Sequence, residues 1–408
     1  MSGAVIDGPE VVNFGCRLNI AEGEAIRAAA REAGTRDIII FNSCAVTDEA
    51  VRQAKQAVRR ALRERPDAAV VVTGCAAELE ADRFAEMGAR IVRNDAKGLA
   101  ESYGAPFPAK ARSRAYTPAL SGADHARAFL GVQTGCSHSC TFCATVMARG
   151  TARSASIAAV VEAARVAIDR GQREVILTGV DLASYGDDSE TTLAALVEEL
   201  LALPIARLRL SSLDPNRIDD RLFALLTQES RVMPHVHLSL QAGDDMVLTR
   251  MKRRHRRADA VALVARLKAA RPEIAIGADL IAGFPTEDDT MFANSLALID
   301  DCDIVFGHIF PYSARAGTAA ARMPQVGRAI ARDRAATLRA ANIRRCHAWL
   351  DAQAGHTATM LVERDGVSGH AENFAALTLT SPAAAGTIIP VRIGGRLDDR
   401  LTATEQAA

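Results

Sequence analysis

The first hundred residues alternate two hydrophobic periods. "VVNFG" is a short apolar run, and Ala21 to Ala33 then repeats apolar positions at helical spacing until Gly34 closes it. A strand pattern follows in "RDIIIFNSC", a helical one in "TDEAVRQAKQAVRRALRER", and a second continuous apolar run in "AAVVVTGC". Thr47 or Asp48 is placed to cap the middle helix, and Pro66 lies beyond its end. Apolar strands separated by helices predict a βαβ parallel sheet, because strands covered on both faces show no polar side.

The pattern lapses in "YGAPFPAKARSRAYTPALSGADHARA", which carries three prolines and reads as a linker. From Ala128 to about Ser313 six strand-like runs recur: "FLGVQTGC", "REVILTGV", "ARLRLSSL", "PHVHLSLQ", "AIGADLIAGFP" and "CDIVFGHIFPY". Helical patterns separate them, so six β/α units predict a partly closed barrel. Reactive groups of such folds sit at the C-terminal strand ends, which here carry Cys136, Gly179, Ser212, Gln241, Gly283 and Tyr312. A helix from about Gly327 to Ala354 follows. The runs "TATMLVE", "FAALTLT" and "TIIPVRIGG" then predict a small all-β domain. The expected α/β division is residues 1–105 for the parallel-sheet domain, 106–125 for the linker, 126–345 for the partial barrel and 346–408 for the β domain.

Composition narrows the picture in three ways. The length suits two to three domains. The 49 Lys and Arg balance 49 Asp and Glu, so whole-chain charge announces no nucleic-acid partner and local clusters must carry that claim. A basic n-region followed by an apolar h-region is missing, and no run reaches the ~18 apolar residues of a membrane span, so the expectation is cytoplasmic. In that setting eight cysteines are metal ligands, catalytic thiols or packing residues before they are disulfides.

The densest chemistry is "GCSHSCTFC", with Cys136, Cys140 and Cys143 on one loop after the first barrel strand. Thiolates suit zinc or iron–sulfur sites. A structural zinc site wants four ligands, and His138 is the one candidate nearby, cramped between two of the thiols. Three thiols on a four-iron cluster leave one iron open instead. Cys16, Cys44 and Cys75 each end a strand of the first domain, so a parallel sheet brings them to one edge. Their alternative reading is three small buried residues. Cys302 and Cys346 read as packing, and His235 with His237 as strand residues rather than metal ligands.

"CSHSCTFC" resembles the signature of the radical S-adenosylmethionine enzymes. The resemblance implies a [4Fe-4S] cluster on Cys136, Cys140 and Cys143, with S-adenosyl-L-methionine on the open iron and Phe142 near its adenine. "NFGCRLN", "FNSCAVT" and "VVTGCAAE" are similar to the N-terminal motifs of the methylthiotransferases, which implies a second [4Fe-4S] cluster on Cys16, Cys44 and Cys75 and a C-terminal domain of the TRAM type. "SSLDP" and "YSARAGTAAARMP" look most like the branch acting on threonylcarbamoyladenosine. The expected activity is methylthiolation of C2 of N6-threonylcarbamoyladenosine at tRNA position 37. One S-adenosylmethionine would supply the methyl group and another the radical, with electrons from an unidentified reductase. Isopentenyladenosine in tRNA, or an aspartate of a ribosomal protein, are the alternative substrates. A non-catalytic iron–sulfur RNA-binding protein is the alternative of another class.

Further residues complete the expected site. Thr178 and Gly179 bring backbone groups near the S-adenosylmethionine, and Asp181 accepts from its amine or hydroxyls. Ser212, Ser239 and Gln241 reach its carboxylate or ribose, Arg253 pairs with a carboxylate or phosphate, and Ile281 to Pro285 flank the adenine. For the tRNA anticodon stem-loop, "RMKRRHRR" over Arg250 to Arg257 offers six cationic side chains, with "KARSR" and Arg344–Arg345 as further contacts. A solvated helix face is the alternative for that run.

Overall fold

The computed structural model describes residues 8–104 and 116–406. Four parallel strands, β1 (Glu10–Asn13), β2 (Ile38–Ser43), β3 (Ala69–Gly74) and β4 (Arg90–Ile91), form the first sheet in chain order. Helices α1 (Arg17–Glu32), α2 (Asp48–Glu64), α3 (Cys75–Leu79) and α4 (Ala81–Glu86) lie between the strands. The uninterrupted apolar strands are buried on both faces. Ile39, Phe41, Val70 and Val72 pack with Val51, Ala54 and Val58 of α2, while Ile38, Ile40 and Val71 pack with Ile26 and Ala30 of α1. Of the two candidate caps for α2, Thr47 is the one used: its side chain accepts from the Ala50 amide at 3.1 Å, a contact worth about 1 kcal/mol.

The expected linker joins the next sheet. Its stretch 105–115, including "KARSR", lies outside the described residues. The strand β5 (Ala119–Leu120) pairs antiparallel with β6 (Arg127–Gly131), so the 106–125 segment is in part a sheet edge. A short hairpin, β7 (Gln133–Thr134) with β8 (Arg153–Ser154), brackets the cysteine loop and α5 (Thr145–Arg149).

Five further strands continue the barrel in chain order from β6: β9 (Glu174–Thr178), β10 (Arg207–Leu210), β11 (His235–Gln241), β12 (Ala275–Ala282) and β13 (Ile304–Pro311). Their pairings are parallel, and two isolated bridges, Leu208–Val232 and Leu213–Leu238, join the β6–β9–β10 half to the β11–β12–β13 half. Helices α6 (Ile157–Asp169), α7 (Leu193–Leu201), α8 (Asp220–Gln228), α9 (Asp245–Met251), α10 (Arg257–Ala270) and α11 (Asp289–Asp301) connect them. Outward positions such as Leu130, Val175, Leu208 and Val236 bury against this helical layer. Inward positions differ. Phe129 and Ile176 meet Ala21 and Ile20 of α1, so the first helix of the N-terminal domain lies on the inner face of the half-barrel.

A long helix, α12 (Arg328–Asp351), leads to a closed five-stranded barrel of β14 (Thr357–Val362), β15 (Ser368–Ala371), β16 (Ala376–Leu379), β17 (Ile388–Leu397) and β18 (Arg400–Glu405). The expected boundary at 345/346 falls inside α12, which runs unbroken because it buries Ala335 and Leu338 against the half-barrel and Trp349 and Leu350 against the β domain. Trp349 meets Phe306 edge-on at 5.3 Å, and Ala275 and Val305, near the starts of β12 and β13, share one core with Met360 and Leu377. The β domain thus caps the N-terminal end of the half-barrel. No helix among the described residues is long and apolar enough to cross a membrane.

Candidate active site

The two thiol trios lie at C-terminal strand ends of the two sheets. Cys16 follows β1, Cys44 follows β2, and Cys75 opens α3 directly after β3. The turn before α1 needs glycine: Gly15 has φ +92°, and a Cβ there would lie 2.5 Å from Cys44 Cβ and 2.6 Å from its sulfur. The Val46 amide donates to Cys44 Sγ at 3.5 Å, and Arg149 Nε donates to Cys75 Sγ at 3.1 Å. Burial pushes the Cys44 thiol up to about 11 and also raises Cys16, with the neighbouring thiols adding to both.

Arg149 comes from α5, just beyond the other trio. It is buried, and it forks onto Glu22 at 2.8 and 3.0 Å while donating to Asn19 Oδ1 at 2.8 Å and Thr134 Oγ1 at 3.1 Å. Glu22 also accepts from Lys97 at 2.6 Å. Burial opposes the charge on Glu22, yet Arg149 and Lys97 hold its carboxyl at about 2. This ion triad ties α1 and the first sheet to the loop of Cys136, Cys140 and Cys143. Nothing in the spacing "ATVMARG" marks Arg149, because its partners Cys75, Glu22 and Asn19 lie over 70 residues away.

The second loop is clamped from several sides. Gln133 donates to the carbonyls of Thr134 at 3.1 Å and Gly135 at 2.8 Å, and its Oε1 accepts from the amides of Val180 and Asp181 at 3.0 Å each. A Cβ at Gly179 would lie 2.8 Å from that oxygen, so Gly179 makes room for Gln133 as well as facing the cavity. Thr141 bonds the carbonyls of Met251 and Arg250, and Phe142 meets Phe284 edge-on at 6.4 Å. Gln133, another residue the sequence reading missed, is buried and joins the loop to the end of β9.

Each sulfur of this loop has a polar neighbour. Cys136 Sγ accepts from the His138 amide at 3.3 Å and donates to Asp181 Oδ2 at 3.4 Å; burial, then Asp181, pushes its thiol up to about 12. Cys140 Sγ lies 3.4 Å from Arg253 Nη1, and burial raises its thiol while Arg253 opposes the rise. Cys143 Sγ accepts from the Thr145 amide at 3.4 Å. His138 is not placed as a fourth ligand to a zinc ion, since its ring meets the Lys252 carbonyl at 2.7 Å.

Two of the expected cofactor contacts are engaged with the protein itself. Asp181 binds Cys136 and Ser184 and does not line the central cavity, because the turn after β9 carries it behind the cysteine loop. Arg253 is turned inward: it pairs with Asp214 at 2.8 Å, donates to the Ser239 carbonyl at 2.8 Å, and is no open phosphate contact. In the same run Arg257 pairs with Asp301 and Arg250 reaches the Thr286 carbonyl, leaving Lys252, Arg254 and Arg256 exposed. Arg345 pairs with Asp303, and Arg344 is exposed.

A cavity of about 940 Å³ opens between the N-terminal sheet, the half-barrel, α12 and the β domain. All three sulfur residues of the first trio line it, as do Cys143 and Phe142 of the second. Cys16 is solvent-accessible and yet deep, because the solvent it meets is inside this cavity. Thr178, Gly179, Ser212, Ser239 and Gln241 line it at the strand ends. Gln241 has φ +69° beside an irregular register with β12, a strained backbone that sets its aim. Ser211 lines the cavity too, and its buried Oγ has no hydrogen-bond partner among the described residues, so a polar ligand suits it.

Deeper in, His237 Nε2 and His308 Nδ1 lie 3.1 and 3.3 Å from Asp279 Oδ1. Burial opposes the charge on Asp279, but these hydrogen bonds hold its carboxyl far below the usual range. His235 and His237 share a face, yet His237 pairs with Asp279 and His308 rather than with His235. Burial and then Arg209 keep His235 neutral.

The donor sets suit iron–sulfur clusters. One tetrahedral zinc ion gathers sulfurs to about 3.8 Å of one another, from Zn–S bonds near 2.3 Å. Among the described residues the one trio of ligand atoms all within 4.8 Å of one another is that of His237, Asp279 and His308, so the cysteine trios are spread more widely than a single ion needs. Arg149 and Arg253 put positive charge beside thiols that must become thiolates.

Residues 130–299 match the Radical SAM superfamily, and residues 10–92 match the Uncharacterized protein family UPF0004. The chain is 40% identical over 401 residues to the threonylcarbamoyladenosine tRNA methylthiotransferase MtaB of Rickettsia prowazekii, covering 95% of this chain and 94% of the relative. It is 33% identical to the protein of the same name from Bacillus subtilis, covering 76% and 74%. It is also 33% identical to the tRNA-2-methylthio-N(6)-dimethylallyladenosine synthase of Novosphingobium aromaticivorans, covering 87% and 86%. Among solved structures, the radical S-adenosylmethionine methyltransferase TsrM of Kitasatospora setae superposes with a TM-score of 0.56 at 15% identity, covering 77% of this chain and 74% of that one, a likeness of fold.

Proposed function

The chain belongs to the radical S-adenosylmethionine methylthiotransferase family, and we propose that it places a methylthio group on C2 of N6-threonylcarbamoyladenosine at tRNA position 37. The reading rests on one observation above all: the whole first thiol trio and Cys143 of the second, one set from each sheet, border a single cavity of a size to take a nucleoside and a nucleoside-derived cofactor together. The name of the relative matched over 95% of the chain supports the choice of nucleoside.

The family carries two [4Fe-4S] clusters and uses S-adenosyl-L-methionine. Cys136, Cys140 and Cys143 would hold one cluster, and Cys16, Cys44 and Cys75 the other. When bound, these groups supply the one-electron cleavage of S-adenosylmethionine and a site for the transferred sulfur. The rest of the work falls to side chains. Phe142, Thr178 and the polar ends of β10 and β11 orient the cofactor. Gln133 and Thr141 hold the cysteine loop in place, so the reacting atoms keep their alignment. Residues of the β domain and α12 close the far side of the cavity.

The tRNA reaches this cavity beside Val46 and Ile343, exposed apolar side chains at its rim, with Lys252, Arg254, Arg256 and Arg344 free to meet phosphates. A cytoplasmic location and a one-electron reductase of unidentified nature complete the reading. The test is an anaerobic reaction of the cluster-loaded protein with S-adenosylmethionine, a reductant and anticodon stem-loops. A methylthio group on the threonylcarbamoyladenosine stem-loop, with none on the isopentenyladenosine one, supports the proposal; the reverse preference refutes it.

A further inference from the structure

A cluster of buried and half-buried charges beneath the cavity has a surplus cation, and the cavity is lined by one member of it, Arg17. Where the N-terminal domain, the half-barrel and the β domain meet, Arg17, Arg127, Arg207 and Arg209 face Glu174, Glu363 and Glu372, four cations to three carboxylates. Glu174 takes Arg209 at 3.0 Å and Arg207 at 3.8 Å. Glu363 takes Arg127 at 2.8 Å, and Glu372 accepts from the Thr359 amide at 2.8 Å while its carbonyl accepts from Arg209 at 3.1 Å.

Arg17 is left over. Its guanidinium lies 5.4 Å from the centre of the Phe374 ring, it forms no ion pair or hydrogen bond with a described residue, and it lines the cavity. Phe374, at φ +73°, also receives Arg127 at 5.7 Å and Arg209 at 4.8 Å, so a single ring carries three cations, of which Arg17 is the one that lines the cavity. An incoming anion would restore the balance.

Arg17 also follows Cys16 directly, which puts it beside the trio that would carry the transferred sulfur. The threonylcarbamoyl substituent ends in a carboxylate. Its ureido N–H can bond N1 of the adenine, which turns that carboxylate toward the C2 edge, the edge to be modified. A group that presents C2 to Cys16, Cys44 and Cys75 therefore presents its carboxylate close by.

We infer that Arg17 forms a carboxylate-binding subsite, taking the acid group of the N6 substituent and so selecting it over uncharged substituents. This rests on the threonylcarbamoyladenosine reading above. Arg17 is a fork donor suited to a carboxylate, held flat against an aromatic face and short of a partner.

The test uses the cluster-loaded enzyme with two stem-loops, one carrying the free acid and one its methyl ester. The wild-type protein is expected to bind the acid roughly 10- to 100-fold more tightly than the ester, the range of a charged hydrogen-bonded pair. Arg17→Gln should lose that preference while binding the ester as before, and Arg17→Lys should keep most of it. Equal weakening of both stem-loops by Arg17→Gln would mean a packing role against Phe374 and overturns the inference. So does a preference for the acid that survives in Arg17→Gln while the wild-type protein still turns the acid stem-loop over. No turnover of the acid stem-loop by the wild-type protein defeats the substrate reading itself, and the inference with it.

Discussion

Arg149 donates to the sulfur of Cys75 at 3.1 Å, across the seam between the two cysteine-bearing sheets. The same guanidinium grips Glu22 with both oxygens, so one buried side chain fixes where the N-terminal sheet stands against the half-barrel. Replacing it by methionine leaves Glu22 with Lys97 alone. Breaking a buried pair in this way costs about 3–5 kcal/mol. Arg149→Met should lower unfolding free energy by that amount in denaturant titrations, and should also lower iron retention, since Cys75 loses its cation.

Two carboxyls make stability depend on acid. Burial works against both charges, but Arg149 and Lys97 hold Glu22 at about 2, and Arg209 holds Glu174 at about 2. Their folded values lie below the ordinary 4.5, so the stability they add is complete above that pH and is lost as pH falls from 4.5 toward 2. Each group is expected to contribute a slope of up to about 1.4 kcal/mol per pH unit in that window. Denaturant midpoints measured from pH 7 down to pH 3 check this, and Glu174→Gln should flatten the curve.

Gly15 offers a way to disable one trio alone. An alanine there would press on Cys44 at 2.5 Å and would also strain a backbone at φ +92°. Gly15→Ala protein, reconstituted anaerobically, should hold about half the iron of the parent chain. It should still cleave S-adenosylmethionine to 5′-deoxyadenosine, because the loop of Cys136 is untouched. Full iron in the variant would show that Cys44 has room to move.

The cap on the half-barrel is expected to be part of its fold. Trp349 is buried between Phe306 and the β domain core, and large aromatic-to-alanine changes at such places cost about 3–5 kcal/mol. Trp349→Ala should therefore lower the midpoint of unfolding for the half-barrel and the β domain together. A chain ending at residue 345 would stop inside α12 and uncover Ala275 and Val305, and should aggregate on expression. Separate transitions, or a soluble short chain, would argue for independent domains.

The strand ends were readable from the sequence because continuous apolar runs stop abruptly at Cys44 and Cys75, and a parallel sheet then sets those stops on one edge. Position along the chain does not say which way a side chain turns. Thr178, Ser239 and Gln241 face the cavity, whereas Asp181, just past the end of β9, and Arg253, in the loop between α9 and α10, turn to the cysteines. Gln133 and Arg149 escaped notice because each acts through partners brought near by the fold, and Ser211 because it resembles an ordinary polar residue after a strand. The division expected at residue 345 lies within α12 for a related reason. The helical period of α12 does not change where its buried face passes from one core to the next.

The most direct measurement is nucleoside mass spectrometry of total tRNA from cells with and without this protein. Loss of the protein should abolish 2-methylthio-N6-threonylcarbamoyladenosine, raise its unmethylthiolated precursor, and leave methylthiolated isopentenyladenosine unchanged; an unaltered threonylcarbamoyladenosine profile would contradict the account.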